Sequence, residues 1–364
     1  MEHLFYPIAL TKIPKVGPIT ARTLVSYCGS PEEVFRSSAK ALIKIPGIGA
    51  QLAQQIKSKE PLTASEKELY HLERQNIQAL FYLDENYPSR LKHYPDSPLI
   101  VYHQGNTNLN AKRIVAIVGT RKPTVQGMAI CEEFLEQIAA YDPLIVSGLA
   151  YGIDICAHRK SLEVNLSTLG VLAHGLAHLY PAGHRAVAKK MVEQGGVISE
   201  YGFETKAEKE HFPLRNRIIA GMCDALLVVE TARYGGSMIT ANYANEYNKD
   251  VFAVPGRVKD PFSAGCNELI KNNQAHLLEN AADLVRMLRW DLPPYTYGVQ
   301  QQLFIELSPE EKNIVDLLRH DEEKNIDELT FVTQKSHSAM AALLLELEFK
   351  GLVKALPGKR YILV

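Results

Sequence analysis

The groups in this sequence that could bind or transfer something are concentrated in short turns that follow apolar runs. The first turn, Gly119–Arg121, places a glycine, a hydroxyl and a guanidinium directly after Ile114–Val118. Free main-chain N–H groups and an arginine fork at a helix start both suit a phosphate. Only one glycine of a Gly-x-Gly-x-x-Gly fingerprint is present, so the motif does not support dinucleotide binding. The simpler alternative is a surface arginine paired with a carboxylate.

The second turn begins at Ser147 and Gly148, where another apolar run ends. Small residues there let main-chain N–H groups approach an anion closely. Asp154 and His158 follow, four residues apart, so they share one face of a helix. That spacing could serve acid–base chemistry, but an orienting hydrogen bond is the more common use and is favoured here.

One segment is the most cationic of the chain's turns. Lys209, Arg215 and Arg217 lie within nine residues, beside Phe212 and Asn216. Cations next to an aromatic ring suit a nucleic-acid strand, because the phosphates need charge and the bases can stack. The segment leads into an apolar helix, so we expect one of the two arginines to be a buried structural residue.

Two further turns open helices. Arg185 stands at a helix start, and Gly235, Gly236 and Ser237 follow an apolar run. A glycine-rich turn at a helix N-terminus is another potential phosphate cradle.

The elements that must position these turns alternate between buried strands and helices. Helical patterns such as Gly127–Ala140 and Ile239–Tyr247 lie between short runs that are mostly apolar, as expected for strands buried on both faces. The predicted strands are Ile114–Val118, Leu144–Ser147, Ser167–Leu172, Val197–Ser199, Ala225–Glu230 and Val251–Val254. This alternation predicts an α/β, Rossmann-like, doubly wound parallel sheet over residues 81–289, with its ligand at the carboxyl ends of the strands.

Residues 1–80 read as helical and contain a short repeat. Ile13–Thr20 is echoed by Ile45–Leu52, an offset of 45 − 13 = 32 residues, which suits one helical hairpin unit. The pattern resembles the helix-hairpin-helix (SAM-like) module, in which hairpin N–H groups face DNA phosphate. A turn that only packs two helices is the slightly favoured alternative.

Residues 290–306 read as a linker, and residues 307–364 as a small separate domain. Ser308–Glu311 is a helix start with a capping-box pattern. Two more helical patterns and two short strands around a Pro-Gly turn resemble a winged-helix domain. The third helix carries Glu346 and Glu348, so a protein-binding or packing role is at least as well supported as groove reading.

Composition limits the class of protein. The 40 Lys and Arg residues are balanced by 41 Asp and Glu residues, so any nucleic-acid surface must be a local patch. The five cysteines are odd in number and form no Cys-x-x-Cys pair, which favours a reducing compartment, the cytoplasm, over a disulfide framework or a zinc site. No apolar run reaches membrane-spanning length. We therefore expect no metal and no membrane association.

Several blocks occur in an order that is similar to the DprA (Smf) family of DNA-processing proteins. The blocks are Asn86–Pro88, Val118–Arg121, Ser147–Asp154, Ile198–Tyr201, Phe212–Arg217 and Pro255–Gly256. The resemblance implies a non-catalytic protein without cofactor that binds and protects single-stranded DNA. It also implies loading of the RecA recombinase during natural transformation, and a homodimer formed through the Rossmann-like domain. Which pathway uses the protein is left open.

The residues and the resemblance together predict one DNA- and phosphate-binding set. Its members are Gly119, Thr120, Arg121, Ser147, Gly148, Arg185, Lys209, Arg215, Asn216, Arg217, Gly235, Gly236 and Ser237. The chain departs from the family at Thr120, where serine is frequent, at Tyr234–Ser237, and at Asn273–Ala275, near the region that resembles the family's dimer surface.

The rival interpretation is an enzyme. The Gly235–Ser237 turn is similar to that of nucleotide-hydrolysing Rossmann proteins of the LOG type. Their Pro-Gly-Gly-x-Gly-Thr-x-x-Glu motif is incomplete here, and the carboxylate needed for general acid–base work is missing at that spacing. We therefore predict no catalytic residue.

Overall fold

The computed structural model of the chain describes residues 2–290, 307–319, 323–356 and 359–363. Two compact units, Met1–Asp291 and Leu292–Val364, are described separately. Except for Trp290, the predicted linker lies outside the described residues.

Short helices open the first unit, and the sequence repeat sets their hairpins. Lys15 and Gly47, 47 − 15 = 32 residues apart, both adopt left-handed backbone, with φ of 64° and 81°. Gly17 and Gly49 then precede the helices Pro18–Cys28 and Ala50–Ile56 in extended conformation. The helices are α1 (Phe5–Thr11), α2 (Pro18–Cys28), α3 (Pro31–Arg36), α4 (Ala39–Leu42), α5 (Ala50–Ile56) and α6 (Glu60–Arg74).

Among the described residues, nine strands form one sheet in the order β1-β2-β6-β5-β4-β3-β7-β8-β9. They are β1 (Gln78–Phe81), β2 (Ile100–Gly105), β3 (Ile114–Val118), β4 (Leu144–Ser147), β5 (Thr168–Val171), β6 (Gly196–Ser199), β7 (Ala225–Val228), β8 (Asp250–Ala253) and β9 (His276–Leu277). Strands β3 to β9 pair in parallel, which confirms the six predicted strands.

Two antiparallel strands extend the predicted parallel sheet at one edge. Strands β1 and β2 pair antiparallel, and β2 pairs antiparallel with β6. Neither strand is apolar throughout, since β1 starts with Gln78 and β2 contains His103 and Gln104, so the buried-strand pattern misses both. Strand β1 also starts inside the stretch that was expected to be helical up to residue 80.

Helices cover both faces of the sheet, as a doubly wound fold requires. On β3, Ile114, Ala116 and Val118 pack in one core with helices of residues 211–271. Val115 and Ile117 point to the other face and pack in a second core with helices of residues 125–163 and 281–287. This alternation is the two-residue period of a strand. The helices are α7 (Val125–Ile138), α8 (Ile153–Glu163), α9 (Arg185–Gln194), α10 (His211–Met222), α11 (Gly236–Glu246), α12 (Ala264–Lys271) and α13 (Ala281–Met287).

The strand order reverses between β3 and β7. From β3 the chain adds β4, β5 and β6 on one side, and from β7 it adds β8 and β9 on the other. The connections after β3 and β7 therefore diverge and leave a crevice at the carboxyl ends of these strands.

The second unit has the predicted three helices and hairpin. Ser308 and Glu311 form the expected capping box, at 3.2 Å and 2.9 Å. The elements are α14 (Pro309–Leu318), β10 (Lys324–Asn325), α15 (Ile326–Thr333), α16 (His337–Phe349), β11 (Val353–Leu356) and β12 (Arg360–Leu363). The Pro-Gly turn at residues 357 and 358 lies outside the described residues.

None of the helices in the described residues combines the length and the hydropathy needed to cross a bilayer.

Candidate functional site

A cleft of about 490 Å³ occupies the crevice at the carboxyl ends of β3 and β7. Three segments form most of its lining: the turn 119–122, the first turns of α10, and the turn 231–237 that opens α11. Ala150, Asp154 and Phe262 complete it. Three of the turns that the sequence singled out are thus brought to one place, although they are spread over residues 119–237.

Main-chain hydrogen bonds fix the turn after β3. The Thr120 N–H donates to the Glu230 carbonyl at 2.7 Å, and the Ile153 N–H donates to the Thr120 carbonyl at 3.2 Å. Gly152 has a φ of +82°, and a Cβ there would overlap the Thr120 carbonyl oxygen. The close approach of α8 to this turn therefore needs glycine, and it leaves the Arg121 side chain exposed above the cleft.

The Glu230 carboxylate, at the end of β7, is committed to the start of α7. It accepts from the Thr124 N–H at 2.9 Å and from the Thr124 hydroxyl at 2.5 Å. Gly127 makes room for it, since a Cβ there would overlap the carboxylate. Glu230 is buried in this role and acts as a cap.

Asp154 and Arg215, two buried residues of opposite charge, lie in the floor of the cleft. A Cβ on Gly148 would overlap both Asp154 Oδ2 and the Arg215 guanidinium, so only glycine leaves room for these two side chains. Burial raises the pKa of Asp154, and Arg215 opposes that rise. Burial likewise lowers the pKa of Arg215 to about 10, while the guanidinium donates to the Val171 carbonyl.

His158 does not orient Asp154, contrary to expectation. Its Nε2 lies 2.5 Å from the Gly148 carbonyl and its Nδ1 lies 2.7 Å from the Thr168 hydroxyl. Burial lowers the pKa of His158 to about 4, so the ring is neutral near pH 7. Because a carbonyl can only accept, Nε2 carries the proton. The histidine therefore holds the Gly148 main chain in place.

Aromatic side chains border the cleft beside Arg121. The Arg121 guanidinium lies 5.7 Å from the centre of the Phe212 ring, and that ring lies 5.7 Å from Tyr180. With Tyr151, these residues line a small hollow that continues the cleft. Sequence reasoning noted Phe212 beside the cationic segment. It assigned no binding role to Tyr180 or to Tyr151, although Tyr151 lies in the Ser147–Asp154 block.

The opposite wall of the cleft is the N-terminus of α11. Gly235 is the N-cap, Gly236 is exposed, and the Asn216 amide donates to the Gly236 carbonyl at 3.4 Å. Ser237 is 6% exposed, and its hydroxyl has no hydrogen-bond partner among the described residues. Free N–H groups, the positive end of the helix dipole and an unsatisfied hydroxyl together favour an anion.

Two of the predicted contacts are structural instead. Ser147 is fully buried, and its hydroxyl donates to the Ile117 carbonyl at 2.6 Å. Arg217 is buried in an ion pair with Glu200 at 2.5 Å. Arg215 is also buried, so both arginines lie inside the protein where one was expected, although Arg215 still lines the cleft.

Arg185 and Lys209 lie outside this cleft. Arg185 lines a separate groove of about 490 Å³, together with Leu176 and Lys189. Lys209 is exposed just before α10, where its carbonyl accepts from the Phe212 N–H at 3.4 Å.

Comparison with known proteins places this architecture in a family. Residues 78–289 match the family model described as DNA recombination-mediator protein A, which covers more than half of the chain. The chain belongs to the DprA family. Residues 8–59 match a SAM-like helix-hairpin-helix tandem and residues 302–359 match the DprA winged-helix domain, which confirms the two flanking modules.

Relatives of the DprA family match over most of the chain. Protein Smf of Synechocystis sp. is 30% identical over 98% of both chains. DNA processing protein DprA of Bacillus subtilis is 38% identical over 59% of this chain and 72% of its own.

Two solved DprA structures are also similar. That of Streptococcus pneumoniae DprA has a TM-score of 0.67 at 28% identity, over 79% of this chain and 97% of its own. Helicobacter pylori DprA, solved for its single-stranded DNA binding mode, has a TM-score of 0.54 at 29% identity, over 60% of this chain and 97% of its own.

Proposed function

We propose that this chain binds single-stranded DNA in the cleft between β3 and β7 and does not act as an enzyme. The observation that carries the proposal is that the two walls of the cleft offer different groups to a nucleic-acid strand. Arg121 lies over Phe212 on one wall, and the unsatisfied Ser237 hydroxyl lies at the N-terminus of α11 on the other.

Phosphates would be held by the helix N-terminus and by the turn after β3, while Arg121 adds a full charge. Phe212 and Tyr180 offer faces on which bases can stack without being read. The residues that we assign to the cleft are Gly119, Thr120, Arg121, Arg215, Asn216, Gly235, Gly236 and Ser237, with Lys209 nearby. The solved Helicobacter pylori relative supports the choice of ligand.

The burial and the hydrogen bonds of the two nearby carboxylates, Asp154 and Glu230, support binding without catalysis. Asp154 is buried beside Arg215, and Glu230 accepts two hydrogen bonds from Thr124. Glu230 does not line the cleft, and Asp154, which does, is 7% exposed beside Arg215 and accepts from the Ala150 N–H at 3.4 Å. Both carboxylates are therefore engaged by the protein, whereas a general acid or base must exchange its proton with a ligand.

We further propose the finer properties that the family resemblance implies: loading of RecA recombinase, protection of incoming DNA during transformation, and a homodimer through the sheet domain. Scattered free cysteines support a cytoplasmic location. We also propose that residues 1–80, 81–289 and 307–364 act as three modules.

Fluorescence anisotropy with a labelled oligothymidylate and with a duplex of equal length tests the proposal. Wild-type protein is expected to prefer the single strand at every salt concentration. Arg121→Ala is expected to weaken binding and to lower the slope of log Kd against log salt by about 0.7, because one phosphate contact is lost. Arg286→Ala, which changes an exposed arginine on α13, is the matched control.

Unchanged affinity and slope in Arg121→Ala, or equal affinity of the wild-type protein for single and double strands, would contradict the proposal.

A further inference from the structure

The turn that opens α11 carries a tyrosine that no packing explains. Tyr234 is 95% exposed, although its neighbours Ala232 and Gly235 line the cleft. The ring therefore projects from the lip of the cleft into solvent. An aromatic face held in water beside a polar cleft is a surface on which a nucleic-acid base can stack.

A second loop lies against this turn through the main chain. The Thr231 N–H donates to the Phe262 carbonyl at 2.8 Å, and the Gly265 N–H donates to the Thr231 carbonyl at 2.9 Å. The connection from β8 to α12 is thereby held beside the lip, and Phe262 itself lines the cleft.

This second loop carries two cations that pair with no carboxylate in the part of the chain that the structure describes. Arg257 and Lys259 are exposed, and neither forms an ion pair within the described residues. Asp260, the acidic residue between them and the helix, is half-buried and accepts from the Phe262 N–H at 2.9 Å and from the Ser263 hydroxyl at 3.3 Å. The positive charge of the loop is therefore free to act on a phosphate.

We propose that Tyr234, Arg257 and Lys259, named here the exit lip, form a second subsite for single-stranded nucleic acid. The strand leaves the cleft past Ser237, stacks one base on Tyr234 and places two phosphates near Arg257 and Lys259. This inference rests on the proposed function, and it assigns residues outside the cleft itself.

The length of the oligonucleotide separates the exit lip from the cleft. A tetrathymidylate is short enough to be held by the cleft, whereas a twenty-residue oligothymidylate must also pass over the lip. Tyr234→Ala is expected to weaken binding of the long strand about 10-fold, the effect of losing one stacked base, and binding of the short strand less than 2-fold. Tyr234→Trp is expected to retain wild-type affinity for both.

Tyr27→Ala is the matched control, since Tyr27 is an exposed tyrosine on α2. The double variant Arg257→Ala/Lys259→Ala is expected to lower the salt slope for the long strand by about 1.4, because two phosphate contacts are lost. Arg286→Ala/Arg289→Ala, which also removes two exposed cations, is expected to keep the wild-type slope.

The outcomes distinguish the two proposals. Suppose that Tyr234→Ala binds the long strand like wild type while Arg121→Ala binds both oligonucleotides more weakly. The exit-lip proposal is then wrong, and the proposal of binding in the cleft is retained. Equal losses on both strands in Tyr234→Ala would place the tyrosine inside the cleft and also overturn the exit lip. If the wild-type protein binds neither strand, the proposed function itself fails.

Discussion

At the scale of single residues, Gly152 decides whether the turn after β3 can form. Its positive φ and its contact with the Thr120 carbonyl leave no room for a side chain. We expect Gly152→Ala to lower the free energy of unfolding by about 2 kcal/mol and to weaken DNA binding, because strain and overlap act together. Chemical denaturation measures the first effect and anisotropy the second.

The control for this prediction is Gly183→Ala, since a Cβ at Gly183 would meet no atom within 4 Å and the residue has no unusual φ. If both alanine variants unfolded at the wild-type denaturant concentration, Gly152 would not be under the proposed constraint.

His158 makes stability depend on pH. Burial lowers its pKa from 6.5 to about 4 in the folded protein, so between these values the unfolded chain binds a proton that the folded chain does not. The full free energy of unfolding is therefore reached above pH 6.5, and it falls as the pH drops below that value because the unfolded chain gains a proton. Between pH 6.5 and 5, we expect the free energy of unfolding of His158→Gln to fall by about 2 kcal/mol less than that of the wild type.

Urea denaturation at several pH values measures this difference. His93→Gln, at an exposed position, is expected to keep the wild-type slope. His103, whose pKa burial also lowers to about 4, leaves part of the pH dependence in every variant. Identical slopes in wild type and His158→Gln would show that the buried ring is not the source.

At the scale of elements, α10 is the helix on which the cleft depends. It carries Phe212, Arg215 and Asn216, and Arg217 ties it to the end of β6 through Glu200. Removing one partner of a buried ion pair leaves an uncompensated charge. We expect Arg217→Ala to lower the free energy of unfolding by about 3 kcal/mol, as measured in guanidinium chloride.

Arg286→Ala breaks an exposed pair with Asp283 on α13 and is expected to change stability little. A similarly small effect of Arg217→Ala would mean that the Glu200 pair does not hold α10.

At the scale of the whole molecule, the N-terminal helices are attached to the sheet by buried polar contacts. Glu68 on α6 accepts from Lys12 at 2.6 Å and from the Phe203 N–H, beyond β6, also at 2.6 Å. Arg22 on α2 donates to the Ser97 hydroxyl at 2.7 Å and lies over the Tyr82 ring. A shared core also spans helices and strands β1 and β2.

We therefore expect the N-terminal helices and the sheet to open together. Amides of α6 and of β2 should show similar protection in hydrogen exchange of the full chain. Glu68→Ala should lower the protection of α6 first, because it leaves Lys12 and the Phe203 N–H without their acceptor. Glu66→Ala, on the exposed side of the same helix, is the control. Loss of protection confined to α6 in the wild-type protein would show that the helices open independently.

The sequence by itself determined the parts of the molecule that depend on near neighbours. The largely apolar runs at β3, β4 and β7 specify strands buried on both faces, and the 32-residue repeat specifies two similar hairpins. The capping box at Ser308 is likewise local. The family blocks are also read from consecutive residues, so fold class and family followed from the chain alone.

Only the tertiary structure decided which polar groups face the cleft. Arg215 donates to Val171, 44 residues away, Arg217 pairs with Glu200, and Ser147 donates to Ile117. A cation that meets a distant carboxylate or carbonyl on folding is removed from solvent. Arg121 contacts the Phe212 ring but forms no ion pair within the described residues, and it stays exposed. No local pattern records that choice, because the desolvation of a side chain depends on what packs over it rather than on its neighbours in sequence.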